Sequence, residues 1–144
     1  MYFEDLKRDM KVTPDPVLID KQKMINFALQ YDNVPIHTDE EYAKNSRFGQ
    51  LLAPGVMTFL EVWAKYLEKD LFGEQLVAGM STKIEWSSPV FADDMLHSEA
   101  VITDLISKSS RNGIAVLEIK AYNCDNVHVM TAEVKAVVKK RKER

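Results

Sequence analysis

The stretch "VMTFLEVWAKYLEKD" (residues 56–70) decides the fold. Val56, Phe59, Leu60, Trp63, Tyr66 and Leu67 recur at i, i+3, i+4 and i+7, the spacing of a helix face. Further apolar residues between them leave its first half apolar on most of its circumference, so the helix is expected to be buried on several sides. Gly73 is read as its terminator. From about residue 77 the period changes from 3.6 to 2. "MSTKIEW" (80–86) alternates; "MLHSEAVITDLIS" (95–107), "IAVLEIKAYN" (114–123) and "VHVMTAEVKAVVKK" (127–140) are rich in Val, Ile and alternating polar residues. "SRNG" (110–113) and "CDN" (124–126) read as turns. A sheet of at least four mostly antiparallel strands has an apolar face to cover, and helix 56–70 alone is long and apolar enough to cover it. The expectation is an α+β chain with a long helix laid on a curled antiparallel sheet.

Upstream, a first helix is expected from Asp20 as N-cap to Tyr31–Asp32, with Met24, Phe27, Ala28 and Tyr31 on its apolar face. "TDEE" (38–41) reads as a capping box of Thr38 with Glu41, opening a short helix through "YAK". "SRFGQLLAPG" (46–55) is a loop, and residues 1–19 are expected to be irregular, with "TPDP" (13–16) blocking regular structure.

The length of 144 residues suits one domain over 1–144, able to bury a core without staples. The 19 basic and 22 acidic residues are mostly interspersed and give a net charge of −3, which argues against wrapping nucleic acid. The exception is "KKRKER" (139–144), where 140–144 is read as a solvated basic tail. The one cysteine, Cys124, allows no intrachain disulfide and no cysteine-built metal site, and it falls in a turn with nothing to activate its thiol. "MYFEDLKRDM" (1–10) lacks the apolar run of a signal peptide, and no apolar stretch approaches a membrane span. A cytoplasmic protein is expected.

Between the first two helices, "YDNVPIHTD" (31–39) places Asp32 and His37 five residues apart. Pro35 fixes its own φ and pushes Val34 toward extended backbone, so the connection is stiff. A carboxylate beside an imidazole orients the ring and raises its basicity. Such a pair can hold a water and move two protons in one turnover. Spacing alone leaves a second reading open, in which Asp32 and His37 only cap backbone groups. In "APGVM" (53–57), Gly55 opens the long helix, where free amides at the positive end of the dipole can hold a developing oxyanion. An ordinary N-cap after a proline turn is the alternative there. His97 and His128 fall in strand patterns and are expected to line a sheet face; three scattered histidines make no metal site, and no Gly-rich phosphate loop is present.

"FALQYDNVPIHTDEEYAKNSRFGQLLAPGVMT" (27–58) resembles the hydratase motif of the MaoC-like dehydratases, the (R)-specific enoyl-CoA hydratase group of hotdog-fold proteins. "WSSPVFADDML" (86–96) is similar to that family's strand entry, and the resemblance covers about 27–139. It implies a hotdog, a long central helix wrapped by the sheet, and a homodimer or larger homo-oligomer. It implies reversible addition of water to a trans-2-enoyl thioester, giving an (R)-3-hydroxyacyl thioester. CoA or an acyl carrier enters as part of the substrate, with no further cofactor and no metal. By position, Asp32 and His37 are the water-holding pair, and Gly55 gives the N–H that polarises the thioester carbonyl. Val34 is expected beside the substrate, with its acyl tail along Met57, Phe59 and Trp63. Two positions depart from the family pattern. Val34 stands where the motif has Asn and cannot hydrogen-bond. Pro54 stands where many relatives have His and has no N–H to offer. Losing one polar contact from such a site costs on the order of 10²-fold in rate.

Two other readings compete with the hydratase: an acyl-CoA thioesterase aiming water at the carbonyl carbon, and a catalytically weakened acyl-thioester binder or partner subunit. The motif argues against the first, whereas Val34 and Pro54 favour the second a little. Lys44 and Arg47 precede the central helix, where cations can meet coenzyme phosphates; solvated surface charge is the plainer account of both.

Overall fold

A computed structural model describes residues 1–142. A 3-10 turn, Phe3–Asp5, leads into two short strands, β1 (Lys11–Val12) and β2 (Val17–Leu18). Three helices follow: α1 (Lys21–Tyr31), α2 (Pro35–Thr38) and α3 (Glu40–Lys44). After a loop comes the central helix α4 (Gly55–Leu67), then four long strands, β3 (Leu76–Trp86), β4 (Met95–Ser107), β5 (Asn112–Tyr122) and β6 (His128–Lys139). The sheet is antiparallel, in the order β1-β4-β5-β6-β3, with β2 also pairing to β4. β4, β5 and β6 form the meander that the turn signals at 110–113 and 124–126 predict.

The inner face of the sheet is built from rows in register. Ile102 faces Leu117, and Leu117 faces Val134. Ala100 faces Ile119, and Ile119 faces Ala132. These rows pack in one core with Met57, Phe59, Val62 and Tyr66 of α4. Burying one such aliphatic side chain contributes about 1.5–3 kcal/mol, against about 0–1 kcal/mol for an exposed ion pair, so the rows hold the fold and the surface charges do not. The Tyr66 hydroxyl donates to Asp70 Oδ1 at 3.4 Å; burial, helped by the Asp70 charge, pushes the phenol well above its ordinary pKa.

Several expectations are corrected. Thr38 does not cap a helix. Pro35, with its φ preset, starts a separate turn that Thr38 closes, its hydroxyl donating to the Val34 carbonyl at 3.2 Å. Asp39 caps α3 instead, accepting from the Tyr42 amide at 3.1 Å. The central helix begins one residue early, at Gly55, and ends at Leu67. It is not covered all round, since Val56, Leu60 and Leu67 are exposed. Its sheet-facing side is buried, but among the described residues the side carrying Val56, Leu60 and Leu67 is left exposed. β3 starts at Leu76, and most of its length is exposed on both faces, so its alternation of residue types does not become alternation of burial. Residues 1–19 are not wholly irregular, because β1 and β2 dock on β4.

The basic tail is not simply solvated. The Arg141 guanidinium donates to both Asp5 carboxylate oxygens, at 2.6 and 2.8 Å, and lies 5.1 Å over the Tyr2 ring. Lys140 Nζ donates to the Ser109 carbonyl at 2.8 Å and sits 5.5 Å over Phe3. The last two residues of that tail, 143 and 144, lie outside the described residues. Hydrogen bonding from Arg141 holds the Asp5 carboxyl below its usual value of 3.8. A carboxylate with a depressed folded pKa adds stability above its unfolded pKa, and that stability fades as pH falls through the folded value. Arg141→Gln is therefore expected to lower the melting temperature slightly at neutral pH. The difference from wild type should close below pH 3.8, as read by thermal unfolding across a pH series.

Candidate active site

α1 closes with the Asp32 amide donating to the Ala28 carbonyl at 2.9 Å, and the chain leaves the helix there. Val34 is extended, as a residue before proline must be, and Pro35 opens the single turn of α2. His37 stands on that turn. The two helix ends bring His37 Nε2 to 3.3 Å from Asp32 Oδ2. On its other side, His37 Nδ1 lies 2.5 Å from the Leu52 carbonyl oxygen. A carbonyl only accepts, so Nδ1 carries the proton and Nε2 of the neutral ring carries the lone pair. The imidazole is buried, with His37 8% exposed, while the Asp32 side chain is 47% exposed. The backbone beneath thus turns two proton acceptors toward one small volume.

The Leu52 carbonyl is held in turn. The segment from Leu51 to Ala53 pairs with the crossover from β3 to β4. The Ala53 amide donates to Val90 at 2.7 Å, the Ala92 amide to Leu51 at 3.4 Å, and Leu52 bridges Phe91. This pairing sets the start of α4 beside the acid–imidazole pair. A cavity of about 540 Å³ opens there. Asp32 and His37 share its wall with Gly55, Val56 and Thr58 of α4, with Leu52, Ala53, Pro89 and Val90, and with Trp86 and Ser87. Arg47 lies at the same cavity, its guanidinium 5.1 Å from the Phe48 ring centre. The first turn of α4 has no side-chain cap, because Pro54 occupies the N-cap.

The structure brings together Asp32, His37 and Gly55. It does not bring Met57, Phe59 or Trp63 to them. Met57 and Phe59 point into the core, where Phe59 stacks on Trp63 at 6.0 Å and Trp63 meets Tyr66 at a tilt, ring centres 4.9 Å apart. These helix positions serve packing, and Val56 and Thr58 take the cavity wall. Val34 does not line the cavity either; it is an exposed N-cap whose carbonyl accepts from the His37 amide at 3.0 Å. Lys44 is exposed on α3, and of the two cations ahead of α4 only Arg47 reaches the cavity.

Three residues escaped the sequence reading. Trp86 ends β3, and its indole N–H donates to the Gly55 carbonyl at 3.0 Å. Thr58 is buried, with its hydroxyl donating to the Pro54 carbonyl at 3.3 Å. Ser87 joins the cavity wall to His128, its Oγ lying 2.8 Å from Nδ1 and donating to the His128 carbonyl at 2.9 Å. No local pattern signals the Trp86 and Ser87 contacts, because each depends on where strand β3 ends relative to α4 and β6, whereas the Thr58 bond is a back-bond from i to i−4 within α4. His97 does lie on a sheet face, stacked on Tyr122 at 5.5 Å. Among the described residues there is no cluster of metal-ligating side chains, and no helix is long and apolar enough to cross a membrane. Cys124 is exposed.

The sequence model described as "MaoC like domain" matches residues 5–122. Among solved structures, a MaoC-like dehydratase from Rhodospirillum rubrum superposes with a TM-score of 0.89 at 26% identity, covering 99% of each chain. A protein from Archaeoglobus fulgidus described as a monoamine oxidase regulatory protein gives 0.93 at 24% identity, over 99% of this chain and 96% of that one. An (R)-hydratase from A. caviae gives 0.77 at 23% identity, over 96% and 99%. The last two likenesses establish the shared hotdog fold.

Proposed function

Because this chain belongs to the MaoC-like domain family, we propose that it is a hydratase or dehydratase acting on a trans-2-enoyl thioester to give the (R)-3-hydroxyacyl thioester. The observation that carries the reading is the 3.3 Å approach of Asp32 Oδ2 to His37 Nε2, with Nδ1 committed to the Leu52 carbonyl. Both facing atoms accept protons, so a water lodged beside the pair, within reach of both, is gripped by both. Its oxygen attacks C3 as the pair takes one of its protons. A proton passes from the pair to C2, and the water is added across the double bond with nothing left over. Negative charge builds on the thioester oxygen during attack, and the uncapped first turn of α4 supplies amide donors for it. Addition of water calls for no redox group; CoA or an acyl carrier serves as the handle of the substrate, and Arg47 is the cation placed to meet its phosphates.

One assay tests this. Crotonyl-CoA and longer enoyl-CoAs are followed by loss of enoyl absorbance, with free thiol measured in parallel. Absorbance loss without thiol is the expected result. Thiol release would mean a thioesterase, and saturable binding without either signal would mean a binder.

The working unit of this reading is a homodimer. β3 is an edge strand, paired to β6 on one side and open on the other, and it exposes Val77 and Met80. An open apolar edge of this length invites pairing. Val56, Leu60 and Leu67 add an uncovered apolar stripe on α4. Sedimentation should give twice the chain mass for wild type and the single mass for Met80→Glu. Wild type sedimenting as a monomer would rule the dimer out.

A further inference from the structure

We propose that Thr58 and Trp86 are positioning residues that lock the two peptide groups flanking Gly55 and so aim the amides of Gly55 and Val56 at the thioester oxygen. The inference rests on the hydratase reading of the site. A peptide group is planar, with its C=O and N–H pointing in opposite directions, so fixing the oxygen fixes the hydrogen. The peptide joining Pro54 to Gly55 carries the Gly55 N–H. Its oxygen accepts from the Thr58 amide at 3.1 Å, the ordinary first bond of a helix, and also from the Thr58 hydroxyl at 3.3 Å. The peptide joining Gly55 to Val56 carries the Val56 N–H. Its oxygen accepts from the Trp86 indole at 3.0 Å, a donor from a different element altogether.

The indole does more than donate. It lies against the Gly55 Cα, so that a Cβ at this position would come within 2.7 Å of ring atoms Cζ2 and Nε1. The backbone of Trp86 is anchored by its pairing with Met130, and the next residue is tied to β6 by the Ser87 amide donating to Val129 at 3.0 Å. The end of the sheet therefore braces the start of the helix. A surface tryptophan packed anywhere would fill space equally well. This one contacts the backbone at the helix start and lines the cavity that holds Asp32 and His37.

Two substitutions remove the bonds: Thr58→Val, which keeps the side chain's shape, and Trp86→Phe, which keeps an aromatic ring but a smaller one. A donor tilted out of line by a fraction of an ångström costs about 10-fold in rate, and each variant is expected to lose about that much kcat with KM nearly unchanged. Thr58→Ser keeps the hydroxyl and is expected to keep kcat, which a purely space-filling role for the threonine would not allow. A dienoyl thioester supplies a second reading, since its absorbance moves to longer wavelength when its carbonyl is polarised; the shift should shrink in Trp86→Phe and Thr58→Val. Should Trp86→Phe fold poorly, Trp86 replaced by 3-benzothienylalanine exchanges only the N–H for sulfur and decides the point. Variants with wild-type kcat and a wild-type spectral shift, beside an active parent, would overturn this inference alone. A parent that neither hydrates nor shifts the dienoyl band would overturn the hydratase reading and this inference with it.

Discussion

Replacing His37 by alanine is expected to reduce hydration turnover by about 10³-fold, within the range that positioned acid–base groups supply. The ring's Nδ1–H is held by the Leu52 carbonyl, so Nε2 is the one nitrogen free to work, and alanine removes it. Asp32→Asn is expected to cost a comparable factor for a different reason. The amide has nearly the shape of the carboxylate but turns one of its acceptor positions into a donor, so the water loses one of its two grips. Because the two groups act on one water, the double variant should be little slower than either single one. Stability separates site from scaffold. Asp32 is half-exposed and its replacement should leave the melting temperature unchanged. Losing the imidazole strands the Leu52 carbonyl, at a cost of about 1–3 kcal/mol, so some loss of stability in His37→Ala is expected and is no evidence about catalysis. Asp32→Asn is consequently the sharper test. Full turnover in that variant would sink the assignment of the pair even if the protein hydrates enoyl thioesters.

Gly55→Ala is the second large effect, at least about 10-fold in kcat, since it costs the Trp86 bond to the Gly55 carbonyl and disturbs the cavity wall as well. The new methyl group would land within 2.7 Å of the Trp86 ring, so one of the two must move. The helix start is pinned by the Pro54 carbonyl bonds to Thr58, whereas Trp86 is a half-exposed side chain at a strand end. The indole should swing outward, surrender its bond to the Gly55 carbonyl and open the cavity wall. Overpacking of this kind costs about 1–3 kcal/mol, which the fold should survive. Trp86 emission, measured in a Trp63→Phe background, should move to longer wavelength as the ring enters water. Unchanged emission together with unchanged kcat would show that the glycine is not needed for a close approach.

The long strands were legible because their residues alternate and their turns carry Asn, Asp and Gly; 95–107 matches β4 residue for residue. The central helix was legible from Phe59, Tyr66 and their spacing, but its exposure was not. Apolar residues at Val56, Leu60 and Leu67 read as core in a single sequence, since periodicity cannot tell a face meant for the same chain from one left open. The same blindness hid the open edge of β3. At the site, Asp32 and His37 could be paired because they stand five positions apart with a proline between them. Trp86 and Gly55 could not be, because they stand 31 positions apart and a register choice lies between them. The cap at Thr38 failed for a local reason. Asp39 offers the next amides an equally good acceptor, and Pro35 had already spent Thr38 in closing its own turn.

The partner that orients the imidazole is a main-chain oxygen, which every residue type carries. Swapping the Leu52 side chain leaves that oxygen in place, so the ring's tautomer is indifferent to which amino acid is written there. Shortening or lengthening the path between Ser46 and Ala53 would instead carry the oxygen away from the ring. Evolution could therefore change the letter at Leu52 freely while being unable to change the letter count of this stretch, and drift among relatives should appear at that position as substitutions rather than gaps.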